Sequence, residues 1–202
     1  ITHAWSYGWG TAENDPAPMI TVDQDGNIFC ASTFDATVDV DPSAGIANIT
    51  PTPFTRESYI TRFDSAGQFQ WVIILRTTSI INIKAILVDS KGALLCTGDY
   101  SGTVDFDPGP GTFNLSSTGT ASETFVLKLD LDGHLLWANT TQGTGQKYGS
   151  EIASDAMGNV YCAGIFTGSG DFDPGPGELI RDPGRPTDAY TLLLTSNWKL
   201  DW

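Results

Sequence analysis

Basic side chains are scarce in this chain: 10 Lys and Arg stand against 24 Asp and Glu, a formal net charge of −14. Such a surface field repels phosphate backbones and anionic lipid headgroups, so nucleic acid and membrane surfaces are poor expected partners. Cations, basic proteins and neutral glycans fit it better. Histidine is nearly absent, with His3 and His134 the two present. No G-x-S-x-G, H-E-x-x-H or C-x-x-C occurs, so nucleophilic and zinc chemistry have no local signature. Long apolar runs are missing too, the longest being the strand-sized Trp71 to Leu75, which leaves no candidate membrane span. An amphipathic 3.6-residue period is also lacking, because Gly, Pro and β-branched residues interrupt every stretch that would carry it. Three cysteines are an odd count. Cys30, Cys96 and Cys162 each sit in an apolar run, and equivalent positions on neighbouring repeats lie too far apart for a disulfide, so they read as small buried hydrophobes.

What the chain does have is repetition. The stretch VDVDPSAG from Val38 returns as VDFDPGPG from Val104 and as GDFDPGPG from Gly170. Its Asp-Pro steps begin at Asp41, Asp107 and Asp173, a constant interval (107 − 41 = 66 and 173 − 107 = 66). Gly26, Gly92 and Gly158 keep the same step, as do Asp23, Asp89 and Asp155, the three cysteines, and Trp5, Trp71 and Trp137. Trp202 arrives one residue early, after a one-residue deletion between Asp173 and Asp188. A fixed period fixes the architecture before any single motif is read. The repeat units run approximately over 5–70, 71–136 and 137–202.

Within a unit, Ile83 to Asp89 leads into the turn Asp89-Ser90-Lys91-Gly92, and Ala93 to Gly98 leaves it. Asp at the first turn position and Gly at the fourth suit a type I turn whose Asp caps backbone amides. A second hairpin follows, from Thr124 to Leu129, through Asp130-Leu131-Asp132-Gly133, to His134–Ala138. In the third copy Trp198 stands at the usual turn glycine, so that turn must differ. Four antiparallel strands per unit, repeated, predict an all-β protein: a β-propeller of three consecutive four-stranded blades of about 66 residues. Each sheet has two apolar faces that it cannot bury alone, so neighbouring blades bury each other. The VDFDPGPG segment and a polar tail form an insertion between the second and third strands.

The pattern of D-x-x-G-N-x-Y (Asp155 to Tyr161), DFDPGPG (Asp171 to Gly177), K-L-D (Lys128 to Asp130) and L-W (Leu136-Trp137) resembles the SBBP repeats of bacterial secreted and surface proteins. The family is named for a seven-bladed β-propeller, and the resemblance covers essentially the whole chain. Copy one departs from it at Pro42-Ser43-Ala44-Gly45 and copy three at Trp198. The resemblance implies an extracellular or cell-surface bacterial setting. It also implies missing neighbours, since three blades do not close a ring. The sequence opens at Ile1 with Ala4 to Trp9 reading as the last strand of a preceding unit. We therefore expect a segment of a larger ring, with two copies making six blades as the alternative.

Residues i and i+2 of an extended segment share a face, so Asp39 with Asp41, Asp105 with Asp107, and Asp171 with Asp173 each present two carboxylates together. Val40, Phe106 and Phe172 between them point to the core. Like charges on one face need a cation or donors. Calcium suits such a place, with turn carbonyls and a further recurring acid, Glu57, Glu123 or Asp188, completing its shell. The other reading is that these are Asp-Pro turn starters, the first Asp capping backbone amides. Trp5, Trp71 and Trp137 read as inter-blade packing rather than sugar platforms, whereas Trp9 and Trp198 break the repeat and are the candidates for exposure. Catalytic acids should be singular, and these acids recur. We expect a non-enzymatic module for structure, protein binding or adhesion, with a protein or further blades as partner and calcium as its cofactor. A glycan-binding propeller is the alternative, and a propeller hydrolase or lyase ranks behind it.

Overall fold

Alternating apolar residues on either side of Asp-x-x-Gly turns fold into hairpins, and in the computed structural model these hairpins assemble into successive antiparallel sheets. The structure describes residues 6, 8, 10, 16–173, 175 and 177–195, and no helix occurs among them. The first blade contains β1 (Met19–Val22), β2 (Ile28–Phe34), β3 (Val38–Asp39), β4 (Asn48–Ile49), β5 (Glu57–Phe63) and β6 (Phe69–Thr77). The second contains β7 (Ile80–Val88), β8 (Ala93–Ser101), β9 (Thr103–Asp105), β10 (Asn114–Ser116), β11 (Glu123–Asp130), β12 (Leu135–Thr140) and the short β13 (Gln142–Gly143). The third contains β14 (Lys147–Ser154), β15 (Val160–Phe166), β16 (Gly170–Asp171), β17 (Ile180–Arg181) and β18 (Asp188–Leu194).

The main sheets order as β1-β2-β5-β6, β7-β8-β11-β12 and β14-β15-β18. The hydrogen-bonded sheets thus span 19–77, 80–140 and 147–194, the 66-residue repeat in another phase. They form an open, propeller-like array. The innermost strands meet along one line, with β7 packed between β1 and β14. Each turn is fixed as its composition demands. Asp89 Oδ1 accepts from the amides of Lys91 and Ala93 at 2.9 Å each, while Gly92 adopts φ 75°, the left-handed geometry that only glycine reaches without strain.

Blades bury one another. One cluster joins Phe29, Ile60 and Leu75 of the first blade to Ile81, Leu94 and Cys96 of the second, and another joins Leu95 and Val126 to Val160, Cys162, Phe166 and Leu192. The central blade is covered on both faces, so β8 is buried from Ala93 through Tyr100. In the third blade, by contrast, β15 alternates: Val160, Cys162, Gly164 and Phe166 are buried, whereas Tyr161 and Ile165 are exposed.

The insertions form small hairpins, β3-β4, β9-β10 and β16-β17, and the latter two attach across blade boundaries. Strand β9 pairs with β6 of the preceding blade, Arg76 opposite Asp105, and β16 pairs with β13 in the same register, Gln142 opposite Asp171. Each blade after the first is therefore stitched to its predecessor by backbone hydrogen bonds as well as by packing.

Candidate functional site

The repeated aspartates sit at the start of the insert loops, and their geometry is the same in each copy. Asp39 Oδ1 accepts from the amides of Asp41 (3.1 Å) and Ala47 (2.9 Å). Asp105 Oδ1 does so from Asp107 (3.1 Å) and Phe113 (2.9 Å), and Asp171 Oδ1 from Asp173 and Leu179 (2.9 Å each). The second aspartate of each pair caps two residues on: Asp41 takes Ser43 N, Asp107 takes Gly109 N and Asp173 takes Gly175 N. All six carboxylates thus hold loop backbone. The other oxygen of the second aspartate explains the closing glycines. A Cβ built on Gly45, Gly111 or Gly177 would fall within 2.1, 2.1 and 2.3 Å of the Oδ2 of Asp41, Asp107 and Asp173.

Val40, Phe106 and Phe172 point inward, at 0%, 0% and 3% exposure. In the later blades they complete an aromatic trio. Phe106 lies 5.6 Å from Tyr100 and 5.2 Å from Phe125, while Phe172 lies 5.1 Å from Phe166 and 4.9 Å from Tyr190. The insert loop is therefore pinned by an aromatic plug beneath it and by carboxylate caps along it.

The further recurring acid is buried, and its counter-ion changes from blade to blade. Glu57 is fully buried and pairs with Arg76 of β6 at 2.6 Å, whose Nη1 also donates to Thr50 O. Glu123, equally buried, pairs instead with Lys147 of the next blade's inner strand, Nζ to Oε2 at 3.1 Å. The lysine aligns its hydrogen bond with Gly145 O at 2.9 Å, so its contact with Glu123 is chiefly Coulombic. Burial pushes the Glu123 carboxyl above its ordinary value, with Lys147 pulling the other way. Room for this lysine is made by glycine: a Cβ on Gly170 would come within 2.6 Å of Lys147 Cε, and one on Gly143 within 3.0 Å of its Nζ. Gly170 replaces the valine that begins the other two motifs for this reason. Asp188, the third acid, is half-buried, accepts from Gly184 N at 2.7 Å, and meets no cation among the described residues.

A groove that the sequence reading did not single out lies where the inner strands end. It has a volume of about 490 Å³ and is lined by Val22, Asp23, Val88, Asp89, Ile152 and Asp155 among others. The 66-residue spacing of these aspartates was the signal, hidden because they read as turn residues. Their oxygens are spent on structure. Asp23 and Asp155 each accept two turn amides and an asparagine side chain at 2.7 Å (Asn27, Asn159). Burial opposes ionisation of both, yet these hydrogen bonds prevail and hold each carboxyl below its ordinary value. Asp89 is closed by Lys128 at 2.8 Å. The groove is a mouth of ordered turns whose carboxylates each hold turn amides.

Trp71 packs against the first inter-blade cluster, 6.0 Å from Phe29, and Trp137 borders the second. The three cysteines are free and buried, and desolvation raises each thiol, Cys30 to about 11. His134 is exposed and rests on Asp130 at 2.9 Å, which raises its pKa above the usual imidazole value. Trp5, Trp9, Trp198, Trp202 and His3, with the strand expected over 4–9, lie outside the described residues. Among the described residues no three acidic, histidine or cysteine side chains gather as a metal group. No helix there is long and apolar enough to cross a membrane.

Stitched sheets, capped inserts and reciprocal faces define a repeat protein of propeller-like architecture. No protein-family model matches the chain. It is similar to an uncharacterized WD repeat-containing protein of Acanthamoeba polyphaga mimivirus, 26% identical over 164 residues, 73% of this chain and 12% of that protein. The chain thus spans about 12% of the length of the curated relative it matches. A WD-repeat name fits a family of repeated, propeller-like sheets.

Proposed function

We propose that the chain is a non-enzymatic, propeller-type module that binds a protein partner through the insert loops of its blades. One observation carries this reading. The loop between β4 and β5 holds Phe54 fully exposed, at 106%, with φ 66°, a left-handed backbone that a bulky residue adopts only when its surroundings impose it. Ile46, on the same insertion, is 77% exposed. Ile46 stands on the loop that the Asp39 and Asp41 caps hold in place, and a large apolar side chain so held is a contact residue at low entropic cost. The net charge of −14 favours a partner with a basic rim around its apolar contact. The WD-repeat name of the relative supports an interaction role of this kind.

Affinity capture from the source organism, followed by cross-linking, tests the proposal. A partner bound by the wild-type chain and lost by Ile46→Asp or Phe54→Asp at unchanged Tm supports it. No such partner, or one indifferent to both substitutions, refutes it.

The finer proposals come from the SBBP resemblance: a bacterial, extracellular or cell-surface location and an adhesive role. Calcium at the aspartate pairs is proposed separately, from the paired carboxylates themselves. It would use the Oδ2 atoms and turn carbonyls, because the Oδ1 atoms already accept amides. Added calcium should then raise Tm and protease resistance over a chelated sample, and equal stability in both would end the idea.

A further inference from the structure

The two junctions inside the chain specify what the open face of the third blade receives. In the first, Ile81 N donates to Arg56 O at 2.9 Å, Arg56 and Ile80 form a parallel bridge, and Ser58 Oγ donates to Ile81 O at 2.9 Å. In the second, Lys147 N donates to Ser122 O at 2.8 Å. Ile81 and Lys147 are equivalent positions, as are Arg56 and Ser122, so the next inner strand docks on the start of the third strand both times. At each junction a cation reaches the buried acid beside that dock, Arg76 for Glu57 and Lys147 for Glu123.

Among the described residues the third blade has the dock without the strand. Asp188 stands opposite Phe166 as Glu123 stands opposite Tyr100, and Thr187 before it is exposed. Beside them opens a cavity of about 410 Å³ lined by Phe166, Phe172, Asp188 and Tyr190 among others. Thr124, Val126 and Leu95 of the second blade are at most 2% exposed beneath the third. Their counterparts Ala189, Thr191 and Tyr161 are exposed. The face that binds a neighbour in one blade is bare in the next.

We infer that this cavity is the seat of the inner strand of a further repeat unit, with Asp188 neutralised by a Lys or Arg either on that strand, at the place of Lys147, or on the strand just before it, at the place of Arg76. Continuity with two observed junctions identifies the strand, and charge identifies the unit. A second copy of this chain is the wrong occupant. One repeat before Ile81 the sequence has Asp15, and one repeat before Arg76 it has Gly10, so by the repeat register a head-to-tail copy offers no cation at either place. The inference rests on the blade junctions, and its test does not involve the protein partner proposed above.

The test appends a second copy of residues 138–202 directly after Trp202, so that the copied Lys147 follows the third blade as the original follows the second. Hydrogen exchange should then show new protection at Ala189 to Thr191, with a higher Tm. Changing the copied Lys147→Glu should undo both effects, and Asp188→Lys in that background should restore them, a coupling on the order of tenfold in the unfolding equilibrium. Unprotected Ala189 to Thr191 in the extended chain, or charge changes that merely add, overturn the inference. The unextended chain should sediment as a monomer, and a dimer that protects Ala189 to Thr191 would give the seat to a second copy instead.

Discussion

Lys147→Met isolates the contribution of the junction between the second and third blades. The lysine and Glu123 are both fully buried with charged atoms 3.1 Å apart, a Coulombic attraction of about 5 kcal/mol at an effective dielectric near 20. Methionine keeps much of the stem's volume and removes the charge, leaving a buried carboxylate without its cation. The expected loss is about 3–5 kcal/mol at pH 7, a large share of the 5–15 kcal/mol typical of a domain. The pH dependence follows from the direction of the Glu123 shift. Burial already raises this carboxyl above 4.5, and losing Lys147 raises it further. A folded state that holds its proton more tightly than the unfolded chain loses stability as pH rises from 4.5 through the folded pKa. The deficit of the variant should therefore shrink as pH falls toward 4.5. Urea unfolding followed by tryptophan fluorescence at both pH values reads it directly. Glu123→Gln added to Lys147→Met should recover much of the loss at pH 7. A single-variant loss under about 1 kcal/mol, or an equal deficit at both pH values, would refute the account of a buried pair.

Two further outcomes check the strand and loop devices. Gly98→Ala should destabilise by about 3 kcal/mol or more, because its Cβ would lie 1.9 Å from Asn82 O across the bulge between Ile83 and Ala85, and thermal unfolding measures it. Asp105→Ala should cost about 1–3 kcal/mol through two lost amide caps while Asp105→Asn, which keeps the Oδ1 acceptor, costs much less. Equal losses for the two Asp105 variants would show that the negative charge matters, as a bound cation would require.

Fold was legible in the sequence because it is written in intervals. The turn aspartates, the Cys-bearing core strands and the inward Phe106 and Phe172 recur at one step, and repetition survives single-position noise. The capping use of Asp39, Asp105 and Asp171 was also legible, as one of two readings that the spacing left open. What stayed hidden depends on partners that do not keep the step. Arg76 and Lys147 serve equivalent acids from positions that are not equivalent, so no alignment of the copies pairs them. The pairing of β9 with β6 was invisible for a related reason: Asp105 meets Arg76 across a blade boundary, and a period says what repeats without saying which repeats touch. Gly170 stands where the other two copies have valine. It is the complement of Lys147, and the two changes have meaning only together.

The stitching of β9 onto β6 and of β16 onto β13 bears on how the chain comes apart. A blade held by side-chain packing alone could peel away, leaving its neighbours whole. Here a departing blade must first tear a ladder that belongs to the sheet before it. In the language of a one-dimensional lattice, the coupling between sites is strengthened relative to the energy of each site. Denaturation should then sweep through the described blades as a single front, and loss or duplication of one repeat in the gene would have to carry its neighbour's edge along with it.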